Sequence, residues 1–275
     1  MSRLTMAEPT SNFSGSTVVK AMILAAGRGE RMRPLTDSCP KPLLKVQGQA
    51  LIDWHVDALA RGGVTGLVIN TAWLGEHISS HFGLWRKQHG REQLSFSYSH
   101  EGDDFGYALE TAGGIARALP LLGDVFWLLA GDVFVPGFEF SPAAVSRFLA
   151  SDKLAHLWLV PNPAHNPRGD FGLSPDGLAL NLPLDDTAPR YTYSTIGLYR
   201  RELFDTLPFG NPQGRAVALA PLLRLAMDQH QVSAELYAGA WTDVGTPARL
   251  AELIDILPAA RGGDSYGATH EKPRA

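Results

Sequence analysis

At 275 residues, 45% of them hydrophobic and 19% charged, the chain can bury a substantial core as one large α/β domain or two small ones. The net charge of -4 excludes the broad basic face that nucleic-acid binding needs. No apolar run reaches the roughly 20 residues that span a bilayer. The single cysteine, Cys39, excludes an internal disulfide and suits a reducing cytoplasm.

Residues 1–17 are polar, with neither a basic nor an apolar leader segment, and read as a disordered extension. Residues 18–258 read as the folded body, and the Gly-rich polar residues 259–275 as a disordered tail. Val18–Ala26 is a continuous apolar run, the pattern of a strand buried on both faces. Leu51–Ala60 has helical spacing and is ended by Gly62-Gly63. Val64–Asn70 reads as a strand, Leu74–Phe82 as a short helix and Leu94–Ser99 as a strand. Thr111–Leu119 reads as a helix stopped by Pro120, and Val125–Ala130 as another buried strand running into Gly131-Asp132. Beyond these, Ala155–Val160 and Tyr191–Tyr199 read as strands, separated by a Pro/Gly/Asn-rich stretch. Ala216–Gln229 and Thr246–Leu257 read as helices. This alternation predicts an α/β fold: a Rossmann-like, mixed but mostly parallel sheet with helices on both faces, carrying an α+β elaboration over one edge.

The first strand runs into a glycine loop dense in cations: Arg28, Arg31, Arg33, Lys41 and Lys45 against Glu30 and Asp37. Gly27 and Gly29 permit a sharp turn and close approach of a phosphate to backbone N–H groups. Arg31, with its planar fork, and Lys41, as a point charge, can neutralise that phosphate. Two other phosphate loops do not fit: a dinucleotide fingerprint needs a third glycine where Met32 stands, and no P-loop pattern occurs. Asp132 follows a buried strand and a glycine, so it falls at a carboxyl strand end, where α/β sheets bind ligands. Asp243 precedes a Val-Gly-Thr-Pro turn into a helix. Two such carboxylates make a hard-oxygen Mg²⁺ site, completed by waters and phosphates. Asp124 precedes its strand and reads as structural. His77 and His81 share a helix face but lack the intervening glutamate of a zinc motif. Trp73, Trp85, Trp127 and Trp158 read as packing residues.

Residues 24–43, with L-x-x-G-x-G-x-R-x-x-P-L-T and then P-K-P-L, resemble the signature of the sugar-1-phosphate nucleotidyltransferases. The likeness continues through Leu109-Glu110-Thr111-Ala112-Gly113-Gly114, Gly131-Asp132 and Trp241-Thr242-Asp243-Val244-Gly245-Thr246-Pro247. It implies a transfer from a nucleoside triphosphate to a sugar 1-phosphate, with catalytic Arg31 and Lys41 and metal ligands Asp132 and Asp243. It further implies nucleotide contacts from Leu24, Ala26, Gly27, Gly29, Glu30, Gly102 and Ala130, the base lying flat on a loop at Glu101-Gly102. Gly114, in a Gly113-Gly114 pair that opens a helix, and Asp170 would contact the sugar.

Asn70-Thr71-Ala72-Trp73-Leu74-Gly75 and Arg168-Gly169-Asp170-Phe171 resemble the branch that uridylylates N-acetylmuramic acid 1-phosphate in cell-wall recycling. The alternatives are guanylyl transfer to mannose 1-phosphate, thymidylyl or uridylyl transfer to a hexose 1-phosphate, a non-catalytic nucleotide-sugar sensor, and a dinucleotide-dependent oxidoreductase, which Met32 counts against. Three features depart from the family pattern. Residues 103–107 lengthen a loop, Ala130 stands where Asn is common, and Ala218 stands where a Lys is common, with Arg215 or Arg201 as candidate replacements. The implied partners are small molecules, with no nucleic acid and no membrane. The sequence does not set the oligomeric state.

Overall fold

The computed structural model describes residues 19–257; the readings for residues 1–17 and 259–275 lie outside them. In chain order the regular elements are β1 (Lys20–Leu24), β2 (Lys45–Val46), β3 (Gln49–Ala50), α1 (Leu51–Arg61), β4 (Gly66–Thr71), α2 (Gly75–Gln88), β5 (Ser95–His100), α3 (Glu101–Phe105), α4 (Glu110–Ala118) and β6 (Val125–Ala130). There follow β7 (Val133–Phe134), α5 (Pro142–Leu149), β8 (Ala155–Val160), β9 (Phe171–Leu173), β10 (Ala179–Leu180), β11 (Arg190–Arg200), α6 (Leu219–Asp228), β12 (Val232–Leu236), β13 (Thr242–Asp243) and α7 (Pro247–Ile256).

β1 is hydrogen-bonded in parallel to β4 on one side and to β6 on the other, and β5 extends the β4 side. Its side chains alternate between two cores. Ala21 and Ile23 pack with α1, α2 and α5 residues such as Val56, Phe82 and Phe148. Met22 packs on the other face with Ile115 of α4 and Leu223 of α6. Burial of both faces explains why the strand reads as an unbroken apolar run. The chain leaves β1 toward β4 and β5, then returns to its other side at β6. The carboxyl ends of β1 and β6 therefore bound the crevice in which open α/β sheets bind ligands.

The mixed α/β sheet with helices on both faces is as expected, and the second half joins it at the β6 edge. It continues the same sheet: β11 pairs antiparallel with β6, β8 antiparallel with β11, and β12 parallel with β8, in one nine-stranded sheet that also takes in β9 and β10. Pairings between strands some 70 residues apart leave no periodic trace in either strand, so the sequence does not disclose them. The differences are local. α2 runs on to Gln88, with Trp85 buried in its last turn. Residues 101–105 form the short helix α3, not a loop. α5 was not foreseen, although Ser141 caps it by accepting from the Ala143 N–H at 3.1 Å and Pro142 occupies its first turn. α7 packs over a third apolar cluster that holds Met32, Val46, Phe134 and Val244.

Candidate active site

The cleft at the ends of β1 and β6 has a volume of about 790 Å³. One wall is the glycine loop, where the five cations separate into distinct roles. Arg28 donates to the Thr36 carbonyl and to Asp37, each at 2.8 Å, and stacks 3.9 Å above the Trp73 ring. Arg33 lies 2.9 Å from the same Asp37. The hydrogen bond from Arg28, reinforced by the charges of Arg28 and Arg33 against a smaller desolvation effect, holds the Asp37 carboxyl below its usual range. These groups fold the loop. Lys45 is exposed on β2 and does not face the cleft. Arg31 lines the cleft and has no ion-pair partner among the described residues; Lys41 lines it too, is buried, and donates to Asp132 Oδ2. Gly29 has φ +68°, and a Cβ there would sit 3.1 Å from Thr36 Cγ2. The position requires glycine both for the turn and for space. A Cβ on Gly27 would meet nothing within 4 Å, so the protein itself leaves the space beside Gly27 open.

The floor is a buried polar relay that joins Asn70 to Glu101, a link that the sequence does not disclose. The Ala25 N–H donates to Asn70 Oδ1 at 2.8 Å, Asn70 Nδ2 donates to Glu101 Oε1 at 2.7 Å, and the Leu109 N–H donates to Glu101 Oε2 at 2.7 Å. Glu101 is fully buried. Desolvation pushes its carboxyl up, while the Leu109 N–H and the Asn70 amide oppose the shift. The relay ties the end of β1 to β4, α3 and the start of α4, fixing the backbone at Ala25 that lines the cleft.

Gly102 and Gly114 do not line the cleft. A Cβ on Gly102 would lie 2.6 Å from the Ala72 carbonyl oxygen, so this glycine lets α3 pack against that backbone. A Cβ on Gly114 would lie 2.5 Å from Glu101 Oε1; this glycine makes room for the relay. Gly113 and Gly114 sit inside α4 rather than opening it, and the Ala112 and Gly113 N–H groups are already bonded to the Val217 carbonyl at 2.8 and 3.0 Å.

Asp132 and Asp243 come together through a two-strand ribbon. Asp243 on β13 pairs with Val133 on β7, and the Val244 N–H donates to the Asp132 carbonyl at 3.1 Å. Asp132 faces the cleft, whereas Asp243 lies behind it, with only Gly245 from that segment reaching the lining. Asp243 Oδ2 accepts from Arg249 at 2.7 Å and is 3.3 Å from His165 Nε2. His55 Nε2 lies 2.9 Å from the Val133 carbonyl, pinning the ribbon to α1; burial lowers its pKa to about 4 against the opposing pull of that bond and of Asp132. Among the described residues no three His, Cys, Asp or Glu side chains converge into a metal cage. Backbone pairing brings the two aspartates onto adjoining strands, each facing a cation, and carboxylates are the donors that a hard ion completing its shell with water would take.

The opposite wall comes from β9, β11 and α6. Asp170 lines the cleft, and its carboxylate accepts from the Tyr193 N–H at 2.8 Å and from Asn166 Nδ2 at 3.2 Å. β11 breaks register between Tyr193 and Gly197, and Thr195 in that bulge has φ +66°. The bulge turns Tyr193 and Thr195 into the lining. Neither Arg215 nor Arg201 replaces the cation missing at Ala218. Arg201 pairs with Asp124 at the far end of the sheet, 3.4 Å away, and Arg215 lies outside the lining. The cation on this wall is Arg224, which the sequence reading missed. His81 contacts Asp53 at 2.7 Å, a link between α2 and α1.

Of the residues singled out from sequence, Leu24, Ala26, Gly27, Gly29, Glu30, Arg31, Lys41, Ala130, Asp132 and Asp170 share this cleft, while Gly102, Gly114 and Asp243 stand behind it. Residues 20–258 match the nucleotidyl transferase family. The chain is 47% identical over 243 residues to the N-acetylmuramate alpha-1-phosphate uridylyltransferase of Neisseria meningitidis serogroup B, covering 88% of this chain and 99% of that one. It is 31% identical to the protein of the same name from Caulobacter vibrioides, over 84% and 97% of the two chains. A solved Bacillus anthracis structure assigned as a glucose-1-phosphate thymidylyltransferase shares the fold, with a TM-score of 0.68 at 19% identity over 89% of this chain and 97% of that one. The chain belongs to the nucleotidyl transferase family and is a sugar-1-phosphate nucleotidyltransferase. Enzymes of this class generally use a divalent metal ion. No helix among the described residues is long and apolar enough to cross a membrane.

Proposed function

We propose that this enzyme joins UTP to N-acetylmuramic acid 1-phosphate, giving UDP-N-acetylmuramic acid and pyrophosphate, and so returns a cell-wall sugar to use in the cytoplasm. The observation that carries the reading is the cleft itself. Arg31, without a carboxylate partner among the described residues, and Lys41, shared with Asp132, face one space at the ends of β1 and β6. The end-to-end likeness to the Neisseria uridylyltransferase supports the choice of base and sugar.

The reaction brings two anions together. The second pKa of a phosphate monoester is about 6, so the sugar phosphate is largely dianionic near neutral pH and needs no general base. Its oxygen attacks the α-phosphorus of the triphosphate in line. The bond from that phosphorus to the bridging oxygen breaks, and pyrophosphate leaves with the electron pair. Arg31 clamps the β- and γ-phosphates through its fork. Lys41 exchanges Asp132 for phosphate oxygens and bridges the α-phosphate and the incoming sugar phosphate. The buried relay through Asn70 and Glu101 holds the backbone at Ala25 still while this happens. Asp132 and Asp243 would hold Mg²⁺, which supplies positive charge to the phosphate oxygens when bound. The test is a pyrophosphate-release screen of four nucleoside triphosphates against a panel of sugar 1-phosphates. Release from UTP with N-acetylmuramic acid 1-phosphate is expected to stand well above every other pair. Equal or faster release from GTP with mannose 1-phosphate would reassign the substrates, and no release from any pair would favour a sensor.

A further inference from the structure

Arg224 is a cation that the transfer chemistry does not use. It stands on α6 and lines the cleft on the wall opposite the glycine loop. Its guanidinium lies 5.1 Å from the centre of the Phe171 ring, and Nη1 donates to Asn181 Oδ1 at 2.7 Å. Asn181 is itself fixed, since its Nδ2 donates to both carboxylate oxygens of Asp228 at 3.0 and 3.2 Å. The fork is thus braced on one ring face and one amide oxygen. Among the described residues no carboxylate pairs with it. Asp170, the acid on the same wall, is occupied by the Tyr193 N–H and Asn166. A braced guanidinium without a counter-ion in a ligand cleft is an anion receptor, and its planar fork matches a carboxylate.

The acceptor has two anionic groups that could meet it, the phosphate and the carboxylate of a sugar acid. Position separates them. α6 begins after Ala218, and Ala218, Leu219 and Ala220 line the cleft at its start. Arg224 lies six residues further, roughly 9 Å along the axis at about 1.5 Å per residue. A phosphate held by Lys41 on the glycine-loop wall leaves the far side of the sugar ring for Arg224 on the opposite wall. We infer that Arg224 recognises a carboxylate on the acceptor sugar and is a specificity-determining residue for this enzyme. The inference rests on the substrate reading above, because N-acetylmuramic acid differs from N-acetylglucosamine by a lactyl ether that ends in a carboxylate.

The experiment compares kcat/KM for N-acetylmuramic acid 1-phosphate and N-acetylglucosamine 1-phosphate, at saturating UTP, in the wild type and in Arg224→Met, which keeps a stem over Phe171 but loses the fork. The preference for the acidic sugar is expected to fall roughly 10- to 100-fold, the effect of losing a hydrogen-bonded charge partner, mainly through KM. Arg224→Gln, which keeps a donor for Asn181, is expected to show the same change and provides the test if the methionine variant melts. Equal losses on both sugars would overturn the inference, since the fork would then serve the phosphate or the fold; an unmoved preference would overturn it as well. Failure of the wild type to use N-acetylmuramic acid 1-phosphate would instead remove the substrate reading. The same variants would then be compared on glucuronic acid 1-phosphate and glucose 1-phosphate. An Arg224-dependent preference for the acidic sugar would sustain the inference, and indifference would end it.

Discussion

On one wall of the cleft, Leu24, Gly29, Arg31 and Lys41 come from a single stretch of chain that leaves β1 and folds back beneath it. On the other wall, Asp170, Tyr193, Thr195 and Arg224 come from two strands, a bulge and a helix. The first wall keeps the shape of its loop by local means, the Asp37 pairs and the positive φ of Gly29, and is anchored to β4 and α3 by the relay through Asn70 and Glu101. The second depends on the nine-stranded sheet, because β9 is held at the cleft by its pairing with β11 on one side and β10 on the other. On the reading proposed above, transfer chemistry falls to the wall whose residues are contiguous in the chain, and choice of acceptor to the assembled one. A family can therefore keep the reaction while varying the sugar.

The largest expected effects are on the first wall. Lys41→Ala should lower kcat by roughly 10²- to 10³-fold, as for loss of a preorganised donor to developing charge, with the melting temperature close to wild type. Asp132→Asn should collapse turnover too, by removing both the partner of Lys41 and a carboxylate offered to the metal. Near-normal steady-state rates in either variant would place the chemistry elsewhere. Next in size is Asn70→Ala. It strands the Ala25 N–H and one oxygen of Glu101, and should cost about 2–3 kcal/mol of unfolding free energy in urea. A loss of only a few tenths would mean that the relay does not hold the wall.

A smaller, pH-dependent effect tests the ribbon that carries the two aspartates. The pKa of His55 falls from 6.5 to about 4 in the folded protein, so the unfolded chain binds the extra proton more readily. The contribution is complete above pH 6.5 and is lost as pH falls toward 4. Between pH 6.5 and about pH 5, the wild type should lose about 2 kcal/mol more than His55→Gln. Parallel stability curves for the two proteins would show that His55 is not held neutral. The smallest effect is expected from Asp37→Ala, which frees Arg28 and Arg33. Turnover and the KM for UTP should stay near wild type. A large rise in that KM would mean that the loop cations act as one unit rather than through Arg31 and Lys41.

The two walls also differ in how far the sequence discloses them. β6 and β8 were bounded correctly, and β1, α1 and β4 nearly so, because each is an apolar run or helical stripe ended by glycine or a polar turn. The glycine loop was legible for the same reason: turn, cations and strand are contiguous. Asn70 and Glu101 each stand in a stretch that the sequence marks, but their pairing is not legible there, because a buried polar pair looks, residue by residue, like any polar pair at a strand end. At Gly102 and Gly114 the sequence marks that a Cβ is excluded but not what excludes it. Here it is the Ala72 backbone and the Glu101 side chain. Arg224 sat unremarked in an amphipathic helix, its distinction being a missing partner, which only the fold reveals.

The central claim is that both walls act on one pair of substrates. The most direct measurement is phosphorus NMR of the purified enzyme with UTP, N-acetylmuramic acid 1-phosphate and Mg²⁺. UDP-N-acetylmuramic acid and pyrophosphate should accumulate in equal amounts, with the sugar phosphate consumed to match. UTP that binds but is not cleaved, or pyrophosphate that appears without the UDP-sugar, would contradict it.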